Sequence, residues 1–473
     1  MESIQYKALY RVAGAFRTTS RAALEVCLHV PPPMITLIRA AEESCLRILS
    51  SPLKRTLHQI RASWPPDHPG KDPLTSPLHR LEYVLDRRLG RGTVDRLEEI
   101  RPFVVSPWWR PPNTHIDDNR EAALAAHQTA LARPPNLTLY TDGSGMDGGI
   151  GAAIYSEIGT MVVPVGSDTT HTVYAAELVG IDTALSQILA HQGAFPVADP
   201  STVIFTDNQA AIQACQDPRR SSGQYIVKQI VEKVDKLHAA GWSITIQWIP
   251  GHEGAEGNER ADGAAKEAAR RAAARTRSAE PLTDRAGHQS SQVLRTPRAA
   301  PMEPDPRDPT ANDQSILVAV CRQRLREAAK AQWKLSWETN PHGEHLRRIL
   351  AALAKAHLDL HCGLRRAASS VIVQLQTGKI ALAGYLGTFG AAPTTECPCG
   401  LGRQDADHIL TSCPTYADMR NEVLWNEARE PDYRRILSQG PLVKKAAQFM
   451  LRTRLLGQFR TLPPSYRVSA SGS

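Results

Sequence analysis

The middle of this 473-residue chain predicts an α/β fold, in which a mixed five-stranded sheet is flanked by helices. Three short apolar, partly β-branched runs between residues 137 and 165 are separated by tight turns, which is typical of neighbouring strands. Residues 172–191 then carry apolar side chains at three- and four-residue steps, which indicates a long helix with one apolar face. Strand and helix patterns alternate from residue 202 to about residue 275.

The individual elements of this sheet follow one another closely along the chain. Strands are predicted near residues 137–141, 148–155, 160–165, 202–206 and 244–248. The fourth of them is apolar throughout, as expected for a central strand that is buried on both faces. Helices are predicted at residues 172–191, 208–215 and 223–240, and a last helix carries Asp262.

The flanking regions show no sheet pattern. Residues 1–125 are predicted to be helical, apart from an extended connector at Ser106-Pro-Trp-Trp-Arg-Pro-Pro, because each proline disfavours the helical conformation in the residue before it. The sheet domain is assigned to residues 134–275. Residues 276–313 contain six prolines and no apolar period, which predicts a disordered linker. The remainder is divided into a helical region (314–390), a compact cysteine- and histidine-containing region (391–416) and a helical tail (417–473).

Composition narrows the possible partners only moderately. The apolar share of 42% is sufficient for globular cores, and 56 basic against 48 acidic residues give a net charge of +8. That excess suits a polyanion such as nucleic acid, but it also fits many proteins that bind none. No apolar run approaches the roughly 18 residues that span a bilayer, so no membrane partner is expected. Five of the eight cysteines are scattered, as is usual for buried thiols in a reducing compartment.

Four carboxylates occupy positions that suggest metal chemistry. Asp142 and Asp207 each end a predicted strand, Glu177 lies near the start of a helix, and Asp262 lies on the last helix. Carboxyl ends of neighbouring strands are where α/β sheets bind ligands. Each acid alone has an ordinary explanation as a turn or first-turn helix residue. Together they predict a site for two Mg²⁺ ions, or Mn²⁺, that hydrolyses a phosphodiester.

The sequence around these acids resembles ribonuclease H of the retroelement type over about 140 residues. The matching motifs are Thr141-Asp142-Gly143-Ser144, Ala176-Glu177-Leu178, Thr206-Asp207-Asn208, Ala261-Asp262 and Trp248-Ile-Pro-Gly-His252. The resemblance implies an Mg²⁺-dependent endonuclease that cuts the RNA strand of RNA–DNA hybrids without a small-molecule cofactor. The four acids would hold the metal ions, and His252 would assist protonation or product release. Ser144 and Asn208 are expected to contact the substrate backbone or ribose hydroxyls. The basic, tryptophan-containing protrusion of bacterial members is missing.

A second resemblance concerns the amino-terminal region. Residues 12–25 resemble the segment that follows the polymerase domain in reverse transcriptases of LINE-type retrotransposons, although the chain has no Tyr-x-Asp-Asp turn. The resemblance implies the carboxy-terminal part of such a polyprotein and an intracellular, nuclear site of action. Two alternatives stay open. One is a catalytically inactive, nucleic-acid-binding retroelement fragment, and the other is a host protein that uses the same chemistry elsewhere.

Three cysteines and a histidine near the carboxy terminus form a second candidate metal site. Cys397, Cys399, His408 and Cys413 follow the pattern C-x-C-x8-H-x4-C, and three thiolates with one imidazole complete a tetrahedral, structural zinc site. The alternative is three reduced cysteines with an unrelated histidine. Their order resembles the zinc knuckle that follows ribonuclease H in many LINE-type elements, although ordinary knuckles begin with C-x2-C. The resemblance implies that this region binds single-stranded nucleic acid, with help from Arg403.

Overall fold

The computed structural model describes residues 1–72, 76–132, 134–194, 200–251, 254–279, 315–350, 352–424, 432–463 and 466. The chain forms two compact units, which are named here the sheet unit (residues 41–325) and the helical unit (residues 1–40 and 326–473). Most of the region predicted to be a linker, residues 280–313, lies outside the described residues.

The helices are numbered in chain order. They are α1 (Glu2–Ala13), α2 (Arg21–Cys27), α3 (Pro33–Leu49), α4 (Leu53–Ser63), α5 (Pro77–Leu89), α6 (Arg120–Ala132), α7 (Val173–His191), α8 (Gln209–Gln216), α9 (Gln224–Ala239), α10 (Glu256–Ala279), α11 (Val318–Glu338), α12 (Glu344–Ile349), α13 (Arg366–Thr377), α14 (Ala383–Leu386), α15 (Ala406–Thr411), α16 (Ala417–Val423), α17 (Tyr433–Ser438) and α18 (Gly440–Arg452).

A mixed sheet lies at the centre of the sheet unit, which confirms the predicted fold class. Its strands are β1 (Asn113–His115), β2 (Leu137–Met146), β3 (Gly149–Ser156), β4 (Gly159–Ser167), β5 (Ser201–Thr206) and β6 (Ser243–Trp248). Their order across the sheet is β1-β6-β5-β2-β3-β4. The pairs β1–β6, β6–β5 and β5–β2 are parallel, and β2–β3 and β3–β4 are antiparallel.

The sheet has six strands, so the predicted count of five was wrong by one. The additional strand, β1, pairs with β6 over three residues, Asn113-Thr-His115. Three residues are too few for a period-two pattern, and the prolines before them favour extended backbone of any kind. The pairing rests on backbone hydrogen bonds, which leave no signature in the side chains.

Two helices, α7 and α9, bury their apolar stripes against one face of the sheet. Leu178, Ile181 and Leu185 of α7 share a core with Ile230 and Val234 of α9, and all five are fully buried. Among the described residues, α7 alone is long and apolar enough by composition to cross a bilayer. Its burial in this core accounts for that composition.

The opposite face of the sheet is covered by α10, which approaches the backbone of β3 unusually closely. A Cβ added at Gly151 would overlap the backbone nitrogen of Ala269, and Gly149 is equally close to the same helix. The helix presents small side chains there, since Ala265, Ala268 and Ala269 are fully buried. This contact between glycine and alanine surfaces fixes the position of α10, and therefore the position of Asp262.

Segments that precede and follow the sheet in the sequence complete the core of the sheet unit. Leu317 and Val320 pack with α7 and α9, although they lie beyond the predicted linker. The buried carboxylate of Glu98 accepts hydrogen bonds from the backbone N–H groups of Gly223 and Val318, both at 2.8 Å, and from the Ser222 hydroxyl. One side chain therefore caps the first turns of both α9 and α11, because those N–H groups have no partner within their helices.

The helical unit has its own core. Helices α13, α17 and α18 supply many of its fully buried side chains, such as Ile372, Leu437 and Phe449. Two cysteines of the predicted zinc site, Cys397 and Cys413, belong to this core. The candidate metal site is thus part of the packed interior of this unit.

Candidate active site and metal centres

Three of the four predicted carboxylates meet in one cluster. Asp142, Glu177 and Asp207 each offer an oxygen, and these oxygens lie within 4.8 Å of one another. Thr141 of β2 pairs with Thr206 of β5, so the two aspartates follow paired residues at the point where β5 ends. The prediction that Asp142 ends its strand was wrong, because β2 continues to Met146 through its pairing with β3. Asp142 and Glu177 are buried, and Asp207 is half-buried. The structure therefore brings together residues from β2, from α7 and from the end of β5.

The glycine after Asp142 is required by the close approach of β2 and α7. A Cβ at Gly143 would lie 2.6 Å from the backbone nitrogen of Glu177. The N–H of Gly143 also interacts with the Glu177 carboxylate and lowers its pKa, against the opposite effects of burial and neighbouring charge. The glycine of the Asp-Gly-Ser motif thus sets how near Glu177 comes to Asp142.

Asp207 is held from several directions. The indole Nε1 of Trp248 donates to the backbone oxygen of Asp207 at 3.1 Å. A Cβ at Gly251 would lie 2.7 Å from Asp207 Oδ2, so the chain after β6 passes close to this carboxylate. Sequence reasoning related Trp248 and Gly251 to a family motif and missed their contact with Asp207. The available signal was that Asp207 directly follows one predicted strand and that Trp248 ends the next strand along the chain.

The two predicted substrate-contacting residues lie beside this cluster. Asn208 caps α8 by accepting the N–H of Ala211 at 3.0 Å on Oδ1, and its side chain also lowers the pKa of Glu177. Ser144 lies on β2, two residues beyond Asp142, and is partly exposed. A role for either residue in binding substrate stays a prediction.

The fourth predicted carboxylate, Asp262, is not part of the cluster. Asp262 lies on α10, half-buried, and its Oδ2 forms an ion pair with Lys266 Nζ at 2.6 Å. Its charge nevertheless raises the pKa of Asp142, so it acts electrostatically on the cluster. His252 lies outside the described residues.

Burial and mutual repulsion disfavour the fully ionised state of the cluster. Burial, followed by the charges of Asp207 and Asp262, raises the pKa of Asp142 to about 7. Burial and the charges of Asp142 and Asp207 raise the pKa of Glu177 to about 9. Glu177 Oε2 is also buried without a hydrogen-bond partner. Buried carboxylates with an unpartnered oxygen fit a hard divalent cation, which takes oxygen ligands and would favour the ionised forms.

The cysteine–histidine cluster has the dimensions of a tetrahedral metal site. The ligand atoms of Cys397, Cys399, His408 and Cys413 all lie within 4.8 Å of one another. The Cys397 and Cys413 sulfurs are 3.8 Å apart, and Cys399 Sγ lies 3.2 Å from His408 Nε2. Zn–S bonds of about 2.3 Å place two sulfurs about 3.8 Å apart at the tetrahedral angle. The residues present therefore fit zinc.

The surroundings of this cluster are ordered by hydrogen bonds. The N–H of Leu401 lowers the pKa of the Cys399 thiol to about 7, whereas burial raises that of Cys397 to about 11. His408 Nδ1 lies 3.2 Å from the Ser412 hydroxyl, which orients the ring so that Nε2 faces the sulfurs. Buried Arg420 donates to the carbonyl oxygen of Cys413 at 2.6 Å.

Comparison with known proteins agrees with this arrangement. The RNase H family matches residues 134–270. A 115 kDa protein of the type-1 retrotransposable element R1DM from Drosophila melanogaster is 29% identical over 101 residues, which are 21% of this chain and 10% of that protein. The chain thus spans about a tenth of this relative.

Solved structures of low similarity include two ribonucleases H. LC11-RNase H1, from a compost metagenome and in complex with an RNA/DNA hybrid, is 20% identical, with 29% of this chain and 99% of that chain covered and a TM-score of 0.23. The RNase H domain of prototype foamy virus is 19% identical, with 29% and 95% covered and a TM-score of 0.23. At these TM-scores neither structure adds to the argument. The two sequence matches confirm the resemblance: residues 134–270 form a ribonuclease H domain, and its relative is a retrotransposon protein.

Proposed function

We propose that the sheet unit is a divalent-metal-dependent endonuclease that hydrolyses the RNA strand of RNA–DNA hybrids. The observation that carries this proposal is the meeting of Asp142, Glu177 and Asp207 within 4.8 Å, inside the region that matches the RNase H family. The raised pKa values of Asp142 and Glu177 support a cation at this point, because a bound positive charge would favour the ionised form of both at neutral pH.

The residues of the cluster would divide the work as follows. Asp142, Glu177 and Asp207 hold Mg²⁺ or Mn²⁺, and Asp262 contributes negative charge from α10. When bound, a pair of such ions activates the attacking water and stabilises the leaving oxygen of the phosphodiester. Gly143 supports this site by keeping β2 and α7 in close contact.

Recognition of the RNA strand would depend on its 2′-hydroxyl groups, which distinguish RNA from DNA. Ser144, partly exposed next to the cluster, offers a hydroxyl for such a contact. The Asn208 side chain is committed in part to capping α8, and it also interacts with Glu177. We therefore assign Asn208 a positioning role in addition to the substrate contact expected from sequence. His252 is proposed to assist protonation on the basis of its motif alone.

A zinc ion is proposed for the helical unit. Cys397, Cys399, His408 and Cys413 would hold it, with no coordination position left for substrate. Because two of these cysteines belong to the buried core, the metal would stabilise the fold of this unit. Binding of single-stranded nucleic acid by this region, and action in the nucleus as part of a LINE-type polyprotein, are further parts of the proposal.

The test is a cleavage assay with zinc-loaded, full-length protein. A hybrid labelled on the RNA strand is incubated with Mg²⁺ and the wild type, Asp207→Asn, or the control Asp118→Asn, which changes an exposed acid outside the cluster. We expect cleavage by the wild type and the control only, with single-stranded RNA and duplex DNA left intact. Equal hybrid binding by all three proteins without any cleavage would instead identify an inactive nucleic-acid-binding fragment.

A further inference from the structure

The segment of residues 101–111, named here the aromatic segment, exposes two large side chains that proteins normally bury. Phe103 is 85% exposed and Trp108 is 82% exposed, the highest values among the large apolar side chains that the structure describes. Both belong to one segment of eleven residues, and exposed apolar surface that is grouped in one place often marks a binding site. The function proposed above does not use this segment.

The exposure is not a consequence of a loose chain, because the aromatic segment is fastened near both ends. The backbone N–H of Arg101 donates to Gln224 Oε1 at 2.7 Å, and its carbonyl accepts from Gln224 Nε2 at 3.0 Å. The indole Nε1 of Trp109 donates to Asp235 Oδ1 at 2.9 Å. Val104 and Trp109 also pack against the core of the sheet unit. Phe103 and Trp108 are therefore presented to solvent by an anchored backbone.

The two anchor points relate the aromatic segment to the carboxylate cluster. Gln224 and Asp235 are eleven residues apart on α9, about 16 Å along the helix axis. Gln224 follows Gly223, where an added Cβ would lie 3.5 Å from the side chain of Leu178, the neighbour of Glu177. The segment thus begins beside the end of α9 where Gly223 approaches Leu178, and it runs along the helix away from that end. A length of about 16 Å corresponds to roughly five stacked nucleotides at 3.4 Å each.

A groove beside the segment is lined mainly by aromatic, aliphatic and proline side chains, and exposed arginines lie close to its lining residues in the sequence. Its volume is about 670 Å³, and Phe103 and Trp109 line it together with the end of α8. Exposed Arg110 lies within the segment. The one acid in the groove wall, Asp217, is ion-paired with Arg219 at 2.5 Å. Aromatic faces with nearby arginines bind single strands through base stacking and phosphate contacts.

We infer that the aromatic segment binds an unpaired, single-stranded extension of the hybrid that the cluster cuts. Single-stranded nucleic acid is the occupant because bases within a duplex are already stacked and cannot reach Phe103 or Trp108. Arg110, within the segment, and exposed Arg220, two positions after Pro218 of the groove wall, would provide the positive charge for its phosphates. This inference rests on the proposed function for the identity of the duplex, and it adds a substrate preference for hybrids with overhangs.

The test compares two ligands in the absence of added Mg²⁺, with zinc-loaded full-length protein. Fluorescence anisotropy measures binding of a blunt RNA–DNA hybrid and of the same hybrid with a ten-nucleotide single-stranded DNA extension, placed at either end in separate arms. We expect the wild type to bind one extended hybrid about tenfold more tightly, in line with one or two stacked bases. The Phe103→Ala/Trp108→Ala double variant should lose most of this preference, and any small remainder would come from the single-strand binding proposed for the cysteine–histidine region. The Tyr83→Ala control, which removes another exposed aromatic residue of the sheet unit, should keep the preference.

A second measurement checks the charges. Replacing Arg110 and Arg220 with glutamine should reduce the dependence of log K on log salt for the extended hybrid by about 0.7 for each lost phosphate contact. Binding of the blunt hybrid should keep its salt dependence. Because all these side chains are exposed, melting temperatures should match the wild type, which separates a lost contact from a lost fold.

The outcomes separate this inference from the proposed function. If the wild type cleaves blunt hybrid but shows no preference for an extension, or if the double variant keeps that preference, the inference is overturned and the nuclease remains. If the wild type never cleaves but its preference depends on Phe103 and Trp108, the single-strand site stands and the nuclease does not.

Discussion

Binding of Mg²⁺ at the carboxylate cluster should release protons, because the metal-free site holds its acids partly protonated. The pKa of Asp142 is raised to about 7 and that of Glu177 to about 9. A bound cation favours the ionised form of each. The number of protons released therefore reports whether these two side chains are the ligands.

The expected number follows from the two pKa values. At pH 6 the metal-free site holds nearly one proton on each acid, so binding releases about two. At pH 8 Glu177 still holds most of its proton and Asp142 very little, so binding releases about one. The same shifts weaken the metal-free fold as pH rises, because the native state binds more protons than the unfolded one. For Glu177 the loss is about 1.4 kcal/mol per pH unit between its unfolded value near 4.5 and about 9.

Calorimetric titration with Mn²⁺ or Mg²⁺ in buffers of different ionisation enthalpy gives the proton count directly. Zinc-loaded protein is used so that the helical unit stays intact. Glu177→Gln should release about one proton fewer at both pH values and bind the metal more weakly. The control Glu256→Gln changes an exposed acid at the start of α10 and should leave the count unchanged.

Two results would refute the reasoning. Binding without proton release at pH 6 would mean that the acids are already ionised without metal, and the electrostatic argument for the site would be lost. An unchanged proton count in Glu177→Gln would mean that the metal binds elsewhere.

Three other predictions concern the framework. Gly143→Ala should lower the free energy of unfolding, measured by denaturant titration, by about 1–3 kcal/mol, because the new Cβ would overlap the backbone of α7. The control Gly263→Ala, on α10 with open space around it, should raise the same free energy by about 0.5–1 kcal/mol. Cys413→Ser should abolish the binding of one zinc ion per chain and lower the melting temperature of the helical unit. The control Cys362→Ser changes an exposed cysteine and should alter neither property. If Cys413→Ser kept its zinc, the proposed set of ligands would be excluded. Glu98→Gln should lower the free energy of unfolding by about 2–4 kcal/mol, because an amide cannot accept hydrogen bonds from all three donors around it. Amide hydrogen exchange should then become faster in the first turns of α9 and α11. Unchanged exchange rates there would contradict the double cap.

The sequence predicted the sheet and the clustering of Asp142, Glu177 and Asp207 because each of these acids is tied to a strong local pattern. Asp207 follows an apolar strand, Asp142 follows the apolar first half of β2, and the glutamate lies on a helix with an apolar stripe. Local patterns could not place Asp262, whose distance from the cluster depends on how closely α10 packs against Gly151. The ion pair of Asp262 with Lys266, by contrast, follows a local pattern, since the two residues are four positions apart on one helix.

Long-range packing accounts for most of what sequence reasoning missed. The sequence pattern assigns Leu317 and Val320 to a separate helical region, but in the structure their side chains pack in the core of the sheet unit. The sequence predicts a connector for the aromatic segment because its prolines disfavour helix. Nothing in its composition indicates that Trp109 donates a hydrogen bond to Asp235. Such contacts join residues about eighty or more positions apart, where no periodic pattern connects them.

The double cap formed by Glu98 delays the completion of folding while the protein is being synthesised. Glu98 and Val318 are 220 residues apart, so at a translation rate of 5–20 residues per second the first waits about 10–45 s for the second to be synthesised. Throughout that interval the nascent sheet unit lacks both its last core side chains and one of the partners of a carboxylate that is destined for the interior. A ribosome-bound chain of this length should therefore remain a client of chaperones until residues near 320 have emerged from the exit tunnel.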